Sequence, residues 1–74
     1  MSKSQAIISR EVRRFMDAAH LSQAELAKTL GIDQTGVSAR LNGRTRWSLD
    51  DLDILREIGV PLELSAYDQM EAWA

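Results

Sequence analysis

LSQAELAKTLGIDQTGVSARLNG spans residues 21–43 and carries two helix-start signals and one stop within a short distance. Ser22 precedes Glu25 by three residues, so its hydroxyl can cap a helix while the Glu25 carboxylate reaches back to the Ser22 amide. Leu21 and Leu26 stand where a hydrophobic staple closes over such a start. The device recurs at Asp33, a capping residue, with Ile32 and Val37 placed as its staple. Between the two lies Gly31, directly after the Leu26-Ala27-Leu30 run, where a left-handed backbone ends a helix and turns the chain. Two capped helices, each under three turns and joined only by Gly31-Ile32-Asp33, make a helix-turn-helix.

The flanks supply the rest of a small core. Ser4 to Ala19 reads as a first helix, with Ile8, Val12 and Phe15 on one face and Met16 and Ala19 widening it. Arg10, Arg13 and Arg14 fall on other faces, as solvent or phosphate candidates. His20 follows as a residue of the helix C-terminus, near the carbonyl ends. In the second helix, Leu26, Ala27 and Leu30 point inward, and the small Ala27 lets the third helix cross closely. That third helix runs from about Gln34 to Leu41, with Val37 and Leu41 inward. Asn42 to Arg46 forms a turn around Gly43, after which Ser48, Asp51 and a Trp47–Leu52 staple signal a fourth helix. Its expected buried stripe is Leu49, Leu52, Leu55 and Ile58, closed by Gly59 and Pro61. Leu62, Ala66, Tyr67, Met70 and Trp73 keep helical spacing and suggest a fifth helix, folded back on the core or used as a dimer contact.

Composition narrows what such a chain does. At 74 residues it is one domain, near the lower size at which a core folds unaided. It has no cysteine and one histidine, so neither disulfides, a metal centre nor a catalytic nucleophile–base set is expected. No apolar run suits a membrane span or a signal peptide, and an intracellular protein is expected. The net charge of −2 hides a strong asymmetry. From Arg10 to Trp47, seven basic residues outnumber four acids, for +3. From Ser48 to Ala74, Arg56 stands against seven acids, for −6; Lys3 completes the balance. A basic front with an acidic back suits docking on phosphate through one face.

QAELAKTLGIDQTGVSARLNG resembles the DNA-binding unit of the lambda repressor and Cro (XRE) family of phage regulators. The likeness rests on Gln23, Ala27, Gly31, Ile32, Val37, Ser38, Asn42 and Gly43 and extends over roughly Val12 to Val60. It implies an all-α fold: a compact four- to five-helix lambda-repressor-like domain over residues 1–61, with the helix-turn-helix at 22–42 and a C-terminal helix at 62–74. Helix three becomes the recognition helix, and Gln34, Thr35, Ser38 and Ala39 project from its exposed side toward base edges. The Gln34 amide matches the N7 acceptor and N6 donor of adenine, and Ala39 suits a thymine methyl. Ser22, Gln23, Asn42, Arg44 and Arg46 are the expected phosphate contacts, Gln23 also bracing Gln34. Gly36 has two readings: tolerance of a residue that costs up to ~1 kcal/mol in a helix, or close approach of the backbone to DNA.

Two positions depart from the family pattern. Arg40 stands where an apolar residue is usual, so either the helix is slightly rotated or Arg40 lies along the surface against an acid such as Glu25. Helix four also runs one residue short. The order Asn-Gly-Arg-Thr, an aromatic, then Ser-Leu-Asp is similar to actinobacterial and phage members. The expected role is transcription regulation as a phage immunity repressor in a bacterial cytoplasm, binding a double-stranded operator as a monomer or homodimer. No cofactor, small-molecule ligand or membrane is implied. An antitoxin, an activator or Cro-like regulator, and a protein-binding helix-turn-helix module are the alternatives.

Overall fold

A computed structural model describes residues 2–62 and contains four helices: α1 Lys3–Ala19, α2 Gln23–Leu30, α3 Gln34–Leu41 and α4 Leu49–Glu57. There is no strand among the described residues, and no helix there is long and apolar enough to cross a membrane. The expected fifth helix lies outside the described residues, except for Leu62, which is buried in the core.

Each helix starts on a short polar side chain. Ser22 and Ser48 both form complete capping boxes, with Glu25 and Asp51 returning the bond to the cap amide. Asp33 caps α3 by accepting the Gly36 amide at 2.7 Å. The first helix begins one residue earlier than expected, because Ser2 caps it by accepting the Gln5 amide, at 3.2 Å. Its end is the expected one: His20 takes a left-handed backbone (φ 53°), and the Leu21 amide closes on the Met16 carbonyl at 2.9 Å. Gly31 ends α2 in the same conformation (φ 72°), with the Ile32 amide bonded to the Ala27 carbonyl at 3.0 Å.

These ends matter because α2 and α3 have only eight residues each. Isolated helices that short do not hold in water, so tertiary burial keeps them folded. The core joins Ile8 and Val12 of α1, Leu26, Ala27 and Leu30 of α2, and Val37 and Leu41 of α3. Trp47, Leu55 of α4, Val60 and Leu62 complete it. Phe15, Met16, Leu21, Ile32, Leu52 and Ile58 pack around it half-buried.

Two expectations about the core are corrected. Ala19 is exposed: it lies on the right side of α1 by angle, but in a final turn where none of the described residues buries it. Leu49 is 79% exposed, and the inward position in the first turn of α4 belongs to Asp51, only 4% exposed. At about 100° per residue, Leu49 stands about 120° around the helix from the fully buried Leu55, whereas Asp51 stands about 40° away. The apolar character of Leu49 made it look like core; helical phase put a carboxylate there instead.

Candidate nucleic-acid interface

α3 is built so that one side is core and the other is available. Val37 and Leu41 are buried, while Gln34 and Thr35 are exposed and Ser38 and Ala39 are half-buried. Gln34, Thr35 and Ser38 line one shallow, open depression together with Gln23 from the start of α2. Three of the four expected base-reading residues and one expected phosphate contact therefore share a surface. Both Gln23 and Gln34 line it, and no hydrogen bond joins them among the described residues, so the expected brace between the two amides is not formed there. Ala39 stands apart from the depression. Its carbonyl accepts the Arg44 and Thr45 amides at 2.9 and 3.2 Å, which ties the next turn to the helix end.

The rim is polar and partly prearranged. Ser22 accepts the Glu25 amide at 3.1 Å, which leaves its hydroxyl hydrogen free to donate. The Glu25 carboxylate accepts the Ser22 amide at 3.1 Å. Those Ser22 bonds, aided by the charge of Lys28, hold the Glu25 carboxyl below its ordinary pKa. Asn42 donates to Ser38 Oγ at 3.3 Å, and its side-chain oxygen accepts from Arg13 at 3.3 Å. Arg13 also donates to the Leu41 carbonyl at 3.3 Å, at the C-terminus of α3, where a cation is favourable. Arg10 and Arg14 instead flank Glu11 at 3.4 and 3.5 Å. Arg44 and Arg46 are exposed and make no ion pair among the described residues. Gly43 between Asn42 and Arg44 has φ 80°, the special angle the turn was expected to need.

Arg40 meets an acid, but a different one from that expected. Its Nε donates to Asp51 Oδ2 of α4 at 2.8 Å, and Glu25 is not involved. The same guanidinium donates through Nη1 to the Gly36 carbonyl one turn back, at 3.1 Å. This bears on Gly36: a Cβ there would lie 3.3 Å from Arg40 Nη1 and 3.2 Å from Asp33 Oδ1. The glycine thus makes room for a folded-back arginine, a reason neither expected reading contained.

The sequence reading also passed over Gln5 and Ser9. Ser9 is 4% exposed; its hydroxyl accepts from the Trp47 indole at 2.9 Å and donates to the Arg40 carbonyl at 3.2 Å. Gln5 holds the Trp47 backbone at both ends, accepting its amide at 2.6 Å and donating to its carbonyl at 3.2 Å. Trp47 is accordingly a buried structural residue, as expected. The available signal was spacing: Gln5 and Ser9 are one turn apart, adjoining Ile8 on the buried side of α1.

A family model described as helix-turn-helix matches residues 12–64. No curated protein and no solved structure matches the chain.

Proposed function

The chain belongs to the XRE-type helix-turn-helix family of DNA-binding transcription regulators, and from that premise we propose that it is a sequence-specific repressor that reads an operator through α3. Gln34, Thr35, Ser38 and Ala39 face base edges in the major groove, with Gln34 as the principal reader of an adenine. Ser22, Gln23, Asn42, Arg44 and Arg46 hold the flanking phosphates and set the register. The supporting observation is the single open depression that gathers Gln23, Gln34, Thr35 and Ser38. Repression follows where the operator overlaps a promoter. The turn sequence Asn42-Gly43-Arg44-Thr45, with Trp47 and Ser48-Leu49-Asp50 behind it, supports a phage immunity repressor among the possible regulators.

The test is a footprint on DNA flanking the gene, at two salt concentrations, with wild type and Gln34→Ala. A discrete protected site is expected, weakened in the variant by roughly 1–3 kcal/mol with relaxed choice at one base pair. The symmetry of the protected site reports whether a monomer or a homodimer binds. Diffuse, salt-fragile binding that ignores the substitution would overturn the reading and favour a protein-binding module.

A further inference from the structure

We propose that Arg40 is a positioning residue for base recognition: its tethers to α1 and α4 set the rotation of α3 about its own axis, and thereby which base edges Gln34 and Thr35 meet. The proposal rests on the DNA-reading assignment of α3 and adds to it a determinant that never touches a base.

Arg40 is held at three points. Ser9 of α1 donates to its carbonyl at 3.2 Å, Asp51 of α4 accepts from its Nε at 2.8 Å, and the Gly36 carbonyl accepts from Nη1 at 3.1 Å. Each outer partner is itself braced. Ser9 receives the Trp47 indole at 2.9 Å, and Asp51 Oδ2 also receives the Ser48 amide at 2.9 Å. With Trp47 and Ser48 adjacent in the chain, the bonds form a closed polar ring through α1, the 42–48 turn, α4 and α3. The Arg40 and Asp51 side chains are 16% and 6% exposed, so solvent screens the pair weakly.

Stability alone does not account for this arrangement. Replacing a buried ion pair with apolar side chains of similar volume is often neutral or stabilising. The apolar part of the α3 interface, Val37 and Leu41, resists translation of the helix better than rotation, since neither side chain has a directional bond. A helix is about 10–12 Å across with its side chains, so a rotation of about 20° shifts an exposed side-chain tip by about 2 Å. Hydrogen bonds to a base tolerate only about 0.5 Å. Together with the Arg13 bond to the Leu41 carbonyl, the ring's directional bonds supply a constraint on rotation, at the end of α3 away from Gln34 and Thr35.

The experiment compares wild type, Arg40→Met and Asp51→Asn. It uses a duplex carrying the footprinted site and a scrambled duplex, over a salt series, with thermal unfolding as control. The expected result is a fall of about tenfold in the ratio of specific to nonspecific affinity for both variants. Nonspecific affinity and salt slope should stay close to wild type, while the thermal midpoint falls, because each variant leaves one partner of the pair uncompensated, and unfolding stays cooperative. Asp51 provides an independent variant should Arg40→Met fail to fold. An unchanged ratio in the folded variants would overturn the proposal. So would a salt slope reduced by about one in Arg40→Met alone, which would make Arg40 a phosphate contact in the hollow it lines with Arg46, Ser2 and Thr45. A wild-type ratio near one would instead remove the DNA-reading assignment, and this proposal with it.

Discussion

His20 occupies left-handed backbone space, φ 53°, the one residue other than glycine to do so among the described residues. That conformation costs a side chain with a Cβ roughly 1–2 kcal/mol, and a glycine there would return about 0.4–1 kcal/mol through its freer unfolded chain. His20→Gly is therefore expected to stabilise the domain by about 1 kcal/mol or less, read as a rise in the thermal midpoint; a fall would mean the imidazole makes a contact worth more than the strain. The position of His20 at a helix end was legible in the sequence, because an apolar stripe stops there and a new cap follows. The partner of Arg40 was not. A long side chain's partner depends on how α3 and α4 cross, and no local pattern encodes that crossing, so the sequence pointed only to an acid such as Glu25.

At the scale of elements, caps were the most legible features, since a cap and its bond lie within three residues of each other. Ser22, Asp33 and Ser48 each start a helix as their spacing implied. The start of α1 was off by one because its Ser2 cap was not identified, and the α4 stripe was misphased at Leu49, where burial follows angle rather than hydrophobicity. The Ser22–Glu25 box has a consequence in acid. Its two bonds with Ser22 lower the Glu25 pKa in the folded protein. A depressed carboxyl contributes stability above its unfolded pKa and loses it as pH falls through the folded value. The α2 start should thus hold at neutral pH and weaken only on the acid side of the ordinary glutamate range, about 4.3. Carboxyl NMR titration should place the Glu25 midpoint below that range, and Ser22→Ala should raise it; an unmoved midpoint would show that the box does not persist in solution.

At the scale of the whole molecule, the fold was legible because four helices with known starts and one apolar side each leave few ways to share a core. The candidate site was legible in outline: α3 presents Gln34, Thr35 and Ser38 together, and its bracing through Gln5, Ser9 and Arg40 was not readable because those polar groups meet only across the fold. The charge asymmetry predicts how binding responds to salt. Arg44→Ala and Arg46→Ala should each weaken binding to every duplex alike and lower the salt slope by about one, measured with specific and scrambled duplexes side by side. A loss confined to one sequence would reassign that arginine to base reading. The Trp47 tie also governs how the domain comes into being. Gln5 and Trp47 lie 42 residues apart, and their bonds close a loop that contains the entire α2–α3 unit. Helices of eight residues do not persist without such closure. A nascent chain still short of residue 47 thus has its proposed recognition segment written but not shaped, and that shape waits for Trp47 to join the fold.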